Sequence, residues 1–178
     1  ERYYGLPLNC NSTALFYNKH ILEEAGVTPP SDWQELKEAA EKLTTKDRSG
    51  FLMCGMEGEQ GAFQILPWIL SAGGTVDAID GLPWTETFEF FSELLKSGSM
   101  SANCINLTQT DVAREFNEGK TAMMQNGPWV LPMLKEAGTD YGIVSLSENG
   151  SPAAVLGGEN ITIIKGKNRS EERRVGKE

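Results

Sequence analysis

Residues 116–129 read FNEGKTAMMQNGPW, and they carry three structural instructions in one stretch. Gly119 stops a helix predicted over Asp111 to Glu118. Thr121 to Gln125 then have the compact apolar make-up of a buried strand, and Asn126, Gly127 and Pro128 cap, turn and open a new helix. A helix, a strand and a helix within so few residues predict a layered domain. The awkward residue is Trp129, which falls in the opening turn of the new helix. One reading buries it with Val130, Leu131, Met133 and Leu134, because an aromatic ring covers a large apolar area. The other makes it a binding platform beside the free backbone N–H groups of a helix start.

The same alternation extends outward from this stretch. Upstream, a short helix runs from Lys19 until Gly26 stops it, and SDWQELKEAAEKLT forms a second helix. In that second helix Asp32 with Glu35 makes a capping box, and Trp33, Leu36, Ala40 and Leu43 share one face. GFLMC at 50–54 reads as a short buried strand. Gly61 to Ala72 reads as a helix bent or interrupted by Pro67, and Trp84 to Lys96 as a helix with Trp84, Phe88, Phe91 and Leu95 turned inward. Downstream, YGIVSL from Tyr141 and a final strand from about Val155 to Ile164, broken by Gly157 and Gly158, complete the pattern. Strands alternating with helices predict an α/β fold.

Composition sets the outer limits. The chain has 178 residues, 39% hydrophobic and 23% charged, which is enough apolar material for a core. A formal net charge of −9 points away from nucleic acid or an anionic membrane surface as partner. No apolar run reaches the length of a membrane span, and ERYYGLPLNCNS lacks the make-up of a signal peptide. A chain that starts without Met and is already strand-like reads as a fragment whose N-terminus is missing. Cys10, Cys54 and Cys104 form an odd set without CxxC spacing, so buried free thiols are expected rather than a zinc site or a disulfide framework. His20 stands alone in an amphipathic helix, where a surface role is expected, and no metal or cofactor is indicated. The stretch from Asn168 to Glu178 is charge-dense and aperiodic, and is expected to be disordered or foreign to the domain.

Five stretches in order carry a family resemblance: GLPLNCNSTALFYNKHILEEAGVTPPSDWQEL, FQILPWILSAGG, FFSELLKSG, FNEGKTAMMQNGPW and YGIVSLSENGSPAAVLGGENITI. Together they resemble the extracellular solute-binding proteins of ATP-driven sugar importers, the family that includes the maltose-binding protein. The resemblance implies a lobe of the type II periplasmic binding-protein fold, a central mixed sheet flanked by helices, with the first lobe largely missing. It implies residues 1–12 as a hinge-crossing strand, 13–153 as the second α/β lobe and 154–166 as the return strand, leaving 167–178 as a disordered or artefactual tail. It also implies a sugar ligand and the membrane permease subunits of an importer as partners. The location would be extracytoplasmic, in the periplasm or lipid-anchored at the cell surface, and the protein would be a monomer with no enzymatic activity.

The implied site follows from the same blocks. A pyranose presents C–H faces and a hydroxyl edge, so it needs an aromatic plate and planar polar side chains. The resemblance makes Trp129 the plate. Asn9 and Asn11 in the incoming strand and Gly158, Glu159 and Asn160 in the return strand supply polar groups, although the same residues also suit a turn held by Asx side chains. Before the proline-containing helix, the maltose-binding relatives place an acid and an aromatic on the sugar. Here those places hold Gly61 and Phe63, which keeps the aromatic, loses the acid and points away from maltodextrin. Gln64, Glu57 or Glu59 then offers the polar contact. The rival class is a glycoside hydrolase using a carboxylate pair such as Glu59 and Glu159, and no motif pairs them. Gly73-Gly74 and Gly157-Gly158 lack the spacing of a phosphate-binding loop. The matched segments place no Arg or Lys at the site for an anionic ligand such as glycerol phosphate.

Overall fold

The computed structural model describes residues 4–145, 147–148 and 151–162. The charged tail and the end of the predicted last strand lie outside these residues. In chain order the strands are β1 (Leu6–Pro7), β2 (Ala14–Asn18), β3 (Ser49–Leu52), β4 (Thr121–Asn126), β5 (Tyr141–Val144), β6 (Ser147–Glu148), β7 (Ser151–Pro152) and β8 (Asn160–Ile161). The helices are α1 (Lys19–Ala25), α2 (Trp33–Leu43), α3 (Glu59–Ser71), α4 (Leu82–Lys96), α5 (Gln109–Asn117) and α6 (Leu131–Ala137). Residues divide into two compact units, Ser12–Val155 and a small one formed by the segments on either side of it.

The larger unit is built on a mixed sheet of order β3-β4-β2-β5. β4 runs parallel to β3 and antiparallel to β2, with Met123 opposite both Phe51 and Tyr17. All six residues of β4 are buried, as expected of a strand covered on both faces. α2 packs on β3 and α5 on β4. Their inward residues, Leu36, Ala40 and Leu43 on one helix and Val112, Ala113 and Phe116 on the other, are all shielded from solvent. Each large side chain so buried contributes roughly 1.5–3 kcal/mol. β6 and β7 pair as a short hairpin.

Helix starts follow the predicted chemistry with one shift. Asp32 Oδ1 accepts the Glu35 N–H at 2.8 Å. Glu35 does not return the bond to Asp32: its Oε2 accepts from the Ser31 N–H and hydroxyl, which hold its carboxyl below the ordinary range. The fully reciprocal box is at Thr108 and Asp111, opening α5.

Three expectations need correction. α3 runs unbroken through Pro67, which removes the N–H that would bond the Phe63 carbonyl but leaves the helix intact. On α4 the buried face is Thr87, Phe90, Phe91 and Leu94, while Phe88 is 54% exposed and Leu95 38% exposed. Both registers satisfy helical spacing, and an aromatic cluster selects between them. Trp68 stacks on Phe90 with centroids 5.7 Å apart and meets Phe91 edge-on at 5.1 Å, with Trp33 beside them. Thr87 is tolerated inside because its hydroxyl donates to the Pro83 carbonyl. Finally, the last strand, predicted from Val155 to Ile164 with a break at Gly157 and Gly158, is shorter: among the described residues only Asn160–Ile161 is strand, with an isolated bridge at Gly157.

The smaller unit is an antiparallel ladder in which Leu6 faces Ile161 and Pro7 faces Asn160. Asn11 and Gly157 exchange both backbone hydrogen bonds, at 3.0 and 2.8 Å.

One buried polar junction ties helix to sheet in the larger unit. Gln125, on β4, accepts the Trp68 indole N–H at 2.7 Å and donates to the Gln64 carbonyl at 2.8 Å and to Thr13 Oγ1 at 3.1 Å. Gln125→Ala strips all three contacts and leaves a buried indole N–H unpaired. It is expected to cost about 1–3 kcal/mol of stability in chemical denaturation.

Candidate functional site

The end of β4 decides where Trp129 stands. Asn126 does not serve as a helix cap; it is the last residue of the strand and fully buried. Its Nδ2 donates to the Gln109 carbonyl at 2.8 Å and its Oδ1 accepts the Gly127 N–H at 3.0 Å, which ties the strand to the start of α5. The cap position passes to Gly127, and Pro128–Val130 form a single 3₁₀ turn before α6. Local competition explains the change, because an Asn amide that is already buried and bonded to a distant carbonyl is not available as a cap.

Within that turn the aromatic ring folds back over the glycine. A Cβ on Gly127 would stand 2.1 Å from the Trp129 ring, so only glycine admits this placement. Val130 and Leu134 enter the core at 3% and 0% exposure, whereas Trp129 stays half-buried at its edge. Its Nε1 is shielded from solvent and has no hydrogen-bond partner among the described residues. Phe63, also half-buried, faces it from α3 with ring centroids 6.1 Å apart at 48°. The two aromatics named from the sequence are therefore brought together.

Their neighbours divide. Gln64 is fully buried, its side-chain amide has no partner, and its carbonyl is taken by Gln125. Glu57 and Glu59 are exposed, as is His20, which lies 3.5 Å from Glu24. Gln60, next along, accepts the Gln109 N–H and so joins α3 to α5.

The second group sits in the smaller unit and is held by its own ladder. Asn9 Oδ1 accepts the Glu159 N–H at 3.1 Å, and the Glu159 carbonyl accepts the Leu8 N–H at 2.8 Å. Asn160 lies in β8 opposite Pro7, and Asn11 pairs with Gly157. Asn9, Gly158, Glu159 and Asn160 are exposed and Asn11 partly so. Their backbone is fixed by pairing, while the side chains of Glu159 and Asn160 stand at the surface.

Sequence reading missed a separate cavity of about 320 Å³ in the larger unit, lined by Thr13, Trp33, Pro67, Trp68, Gln125 and Ala154 among others. Of its polar lining, the Gln125 amide is bonded at both ends and the Ser71 hydroxyl donates to the Trp68 carbonyl. The one usable signal was a glutamine inside the apolar run of β4. Among the described residues no cluster of three or more His, Cys, Asp or Glu side chains could hold a metal. Cys10 is exposed, contrary to the expectation of three buried thiols, and Cys54 and Cys104 are buried.

The larger unit is thus a mixed sheet flanked by helices with an aromatic pair open at one edge. Residues 1–175 match the profile of the bacterial extracellular solute-binding proteins, and the chain belongs to that family. It is 30% identical to the maltotriose-binding protein of Pyrococcus abyssi, over 81% of this chain and 31% of that protein. It is 26% identical to the sn-glycerol-3-phosphate-binding periplasmic protein of Rhizobium meliloti, over 96% of this chain and 43% of the relative. A maltose-bound protein of T. maritima superposes with a TM-score of 0.85 at 27% identity, over 96% of this chain and 48% of that one. The chain thus spans less than half the length of these relatives. They are binding proteins, not enzymes, and the glycoside hydrolase reading falls with that finding.

Gly127→Ala should drive the Trp129 ring from its seat. The expected result is a change in near-ultraviolet circular dichroism and a loss of about 1–3 kcal/mol by overpacking. Both effects should shrink when Trp129 is first replaced by Leu.

Proposed function

We propose that the protein is the substrate-binding component of an ATP-driven importer and captures a neutral mono- or oligosaccharide. The observation that carries this reading is the Phe63–Trp129 pair, half-exposed at the edge of the core. Sugar C–H faces stack on such rings, and a few placed polar groups then fix orientation. Taken by itself, the smaller unit offers Asn9, Asn11, Gly158, Glu159 and Asn160 as groups that can hydrogen-bond sugar hydroxyls, and its paired β1 and β8 as hinge strands. Gln64 belongs behind the rings rather than on the ligand. Permease subunits are the protein partners, and the binder works as a monomer outside the cytoplasm, in keeping with the family's extracellular character.

The choice of a sugar over glycerol phosphate rests on charge. A phosphate dianion calls for an Arg or Lys that makes charge-assisted bonds. Lys19, Lys37, Arg114 and Lys120 are instead paired with Asp140, Glu93, Asp111 and Glu118. No cation stands among the proposed ligand residues.

The test is Trp129→Ala in the full-length encoded protein. Calorimetric affinity for the sugar bound by the parent is expected to fall by about 1–3 kcal/mol, with thermal unfolding of the unliganded protein nearly unchanged. A structural ring would behave oppositely, costing roughly 3–5 kcal/mol of stability. A collapsed melting point or an unchanged affinity refutes the stacking role.

A further inference from the structure

Cys54 follows β3, and Cys104 lies in the 3₁₀ turn Ala102–Asn106. Both are buried, at 0% and 4% exposure. Their segments run side by side. Phe51 bridges Met100 in parallel and donates its N–H to the Ser99 carbonyl, and further on the Gly55 N–H donates to the Cys104 carbonyl at 3.0 Å. Backbones hydrogen-bonded side by side lie about 4.8 Å apart, and the bond from Gly55 to Cys104 brings the residue before that glycine, Cys54, to this spacing. That is the scale a disulfide spans, roughly 4.4–6.8 Å between Cα atoms.

The Cys104 side chain lies against the glycine that follows Cys54. Cys104 Sγ stands 3.2 Å from where a Cβ on Gly55 would be, so any larger residue would crowd it. The Cys54 thiol accepts a bond from the Met56 N–H on the same short stretch. Burial pushes both thiols up, and a charge on Cys54 raises Cys104 further, which marks them as neighbours. Thiols so buried and so reluctant to ionise react slowly with outside reagents once folded. Pairing therefore belongs to folding, when both are accessible.

We propose that Cys54 and Cys104 form an intrachain disulfide as the chain folds, fastening the end of β3 to the 3₁₀ turn and leaving Cys10 as the free thiol. For the cell this rests on the extracytoplasmic reading, because disulfides persist in oxidising compartments. The oxidant is an external disulfide, of a small molecule or of a protein. One cysteine thiolate attacks it, expels a thiolate and forms a mixed disulfide. The second cysteine then attacks its partner's sulfur and expels the other thiolate. The cysteine pair loses two electrons and two protons, and the external disulfide becomes two thiols.

The test refolds the reduced 178-residue chain in a buffer of reduced and oxidised glutathione, alkylates free thiols under denaturing conditions and maps the peptides by mass. The expected result is one alkylated cysteine, Cys10, and a peptide linking Cys54 to Cys104. The melting temperature should rise by roughly 5–10 °C over the reduced protein. The rise should persist in Cys10→Ser and vanish in Cys54→Ser and Cys104→Ser. Peptide mapping of Cys10→Ser decides the matter even if the other variants fold poorly. Three alkylated cysteines, or a link through Cys10, overturns the proposal. Because glutathione is supplied in the tube, a negative result is independent of cellular location, which fractionation of the host tests separately.

Discussion

The double-sided burial of β4 is the constraint on which the larger unit depends. A strand covered on both faces must satisfy every backbone group within the sheet and every side chain within the core. Thr121 to Met124 meet this demand with apolar bulk and one internally bonded hydroxyl, Thr121 Oγ1 to the Met123 carbonyl. Gln125 and Asn126 meet it with their amides, which reach outward to α3 and to the start of α5. The polar end of the strand thus does what apolar packing cannot: it fixes the positions of two helices along their axes. Burying an amide without partners would cost more than these bonds return, so each amide accepts few alternatives. Phe63 is carried by one of those helices and Trp129 by the turn that leaves the strand. Their pairing is a consequence of the strand.

The order of helices and strands in the larger unit was legible because it depends on local signals. The stops at Gly26 and Gly119 and the cap at Asp32 act within a turn or two of their own position. What the sequence left open was decided by distant contacts. The face of α4 depended on where Trp33 and Trp68 place their rings, and no periodicity in TFEFFSELL separates two apolar registers that differ by one step. Asn126 lost its capping role to a carbonyl on α5, far away in sequence. Cys10 is exposed because it belongs to the small ladder, whereas Cys54 and Cys104 lie against the core. Of the proposed site residues, the aromatics and the ladder residues stood in motifs that could be read. The burial of Gln64 could not be, since it follows from the rotation of α3 about an axis that Gln125 holds.

The family match places the chain among binding proteins, but the ligand must be argued from chemistry. The relatives differ in this respect, one being named for a neutral trisaccharide and another for a phosphorylated polyol. Those ligands make opposite demands, aromatic faces for one and fixed positive charge for the other. The cations named above are engaged with acids at the surface, where such pairs contribute little to stability and are screened by salt. They organise solvent-facing helices and strand ends. The exposed acid of the ladder, Glu159, would accept hydroxyl donors and repel a phosphate. Net charge works in the same direction.

Two tryptophans in the same unit differ in how completely the core accounts for them. Trp68 has little exposure, four aromatic neighbours with centroids 5.1–6.0 Å away and an indole N–H bonded to Gln125 at 2.7 Å. Every part of that side chain is accounted for by the core. Trp129 has one aromatic neighbour, a half-exposed ring and an indole N–H that is covered yet unbonded. A buried tryptophan normally finds a partner for that N–H, and leaving it bare costs about 1–3 kcal/mol. The seat is maintained all the same by a glycine that alone leaves room for the ring and by a proline that sets the turn beneath it. Local structure has therefore been specified at Trp129 against its own best stability. That conflict is expected where a side chain is positioned for something other than packing.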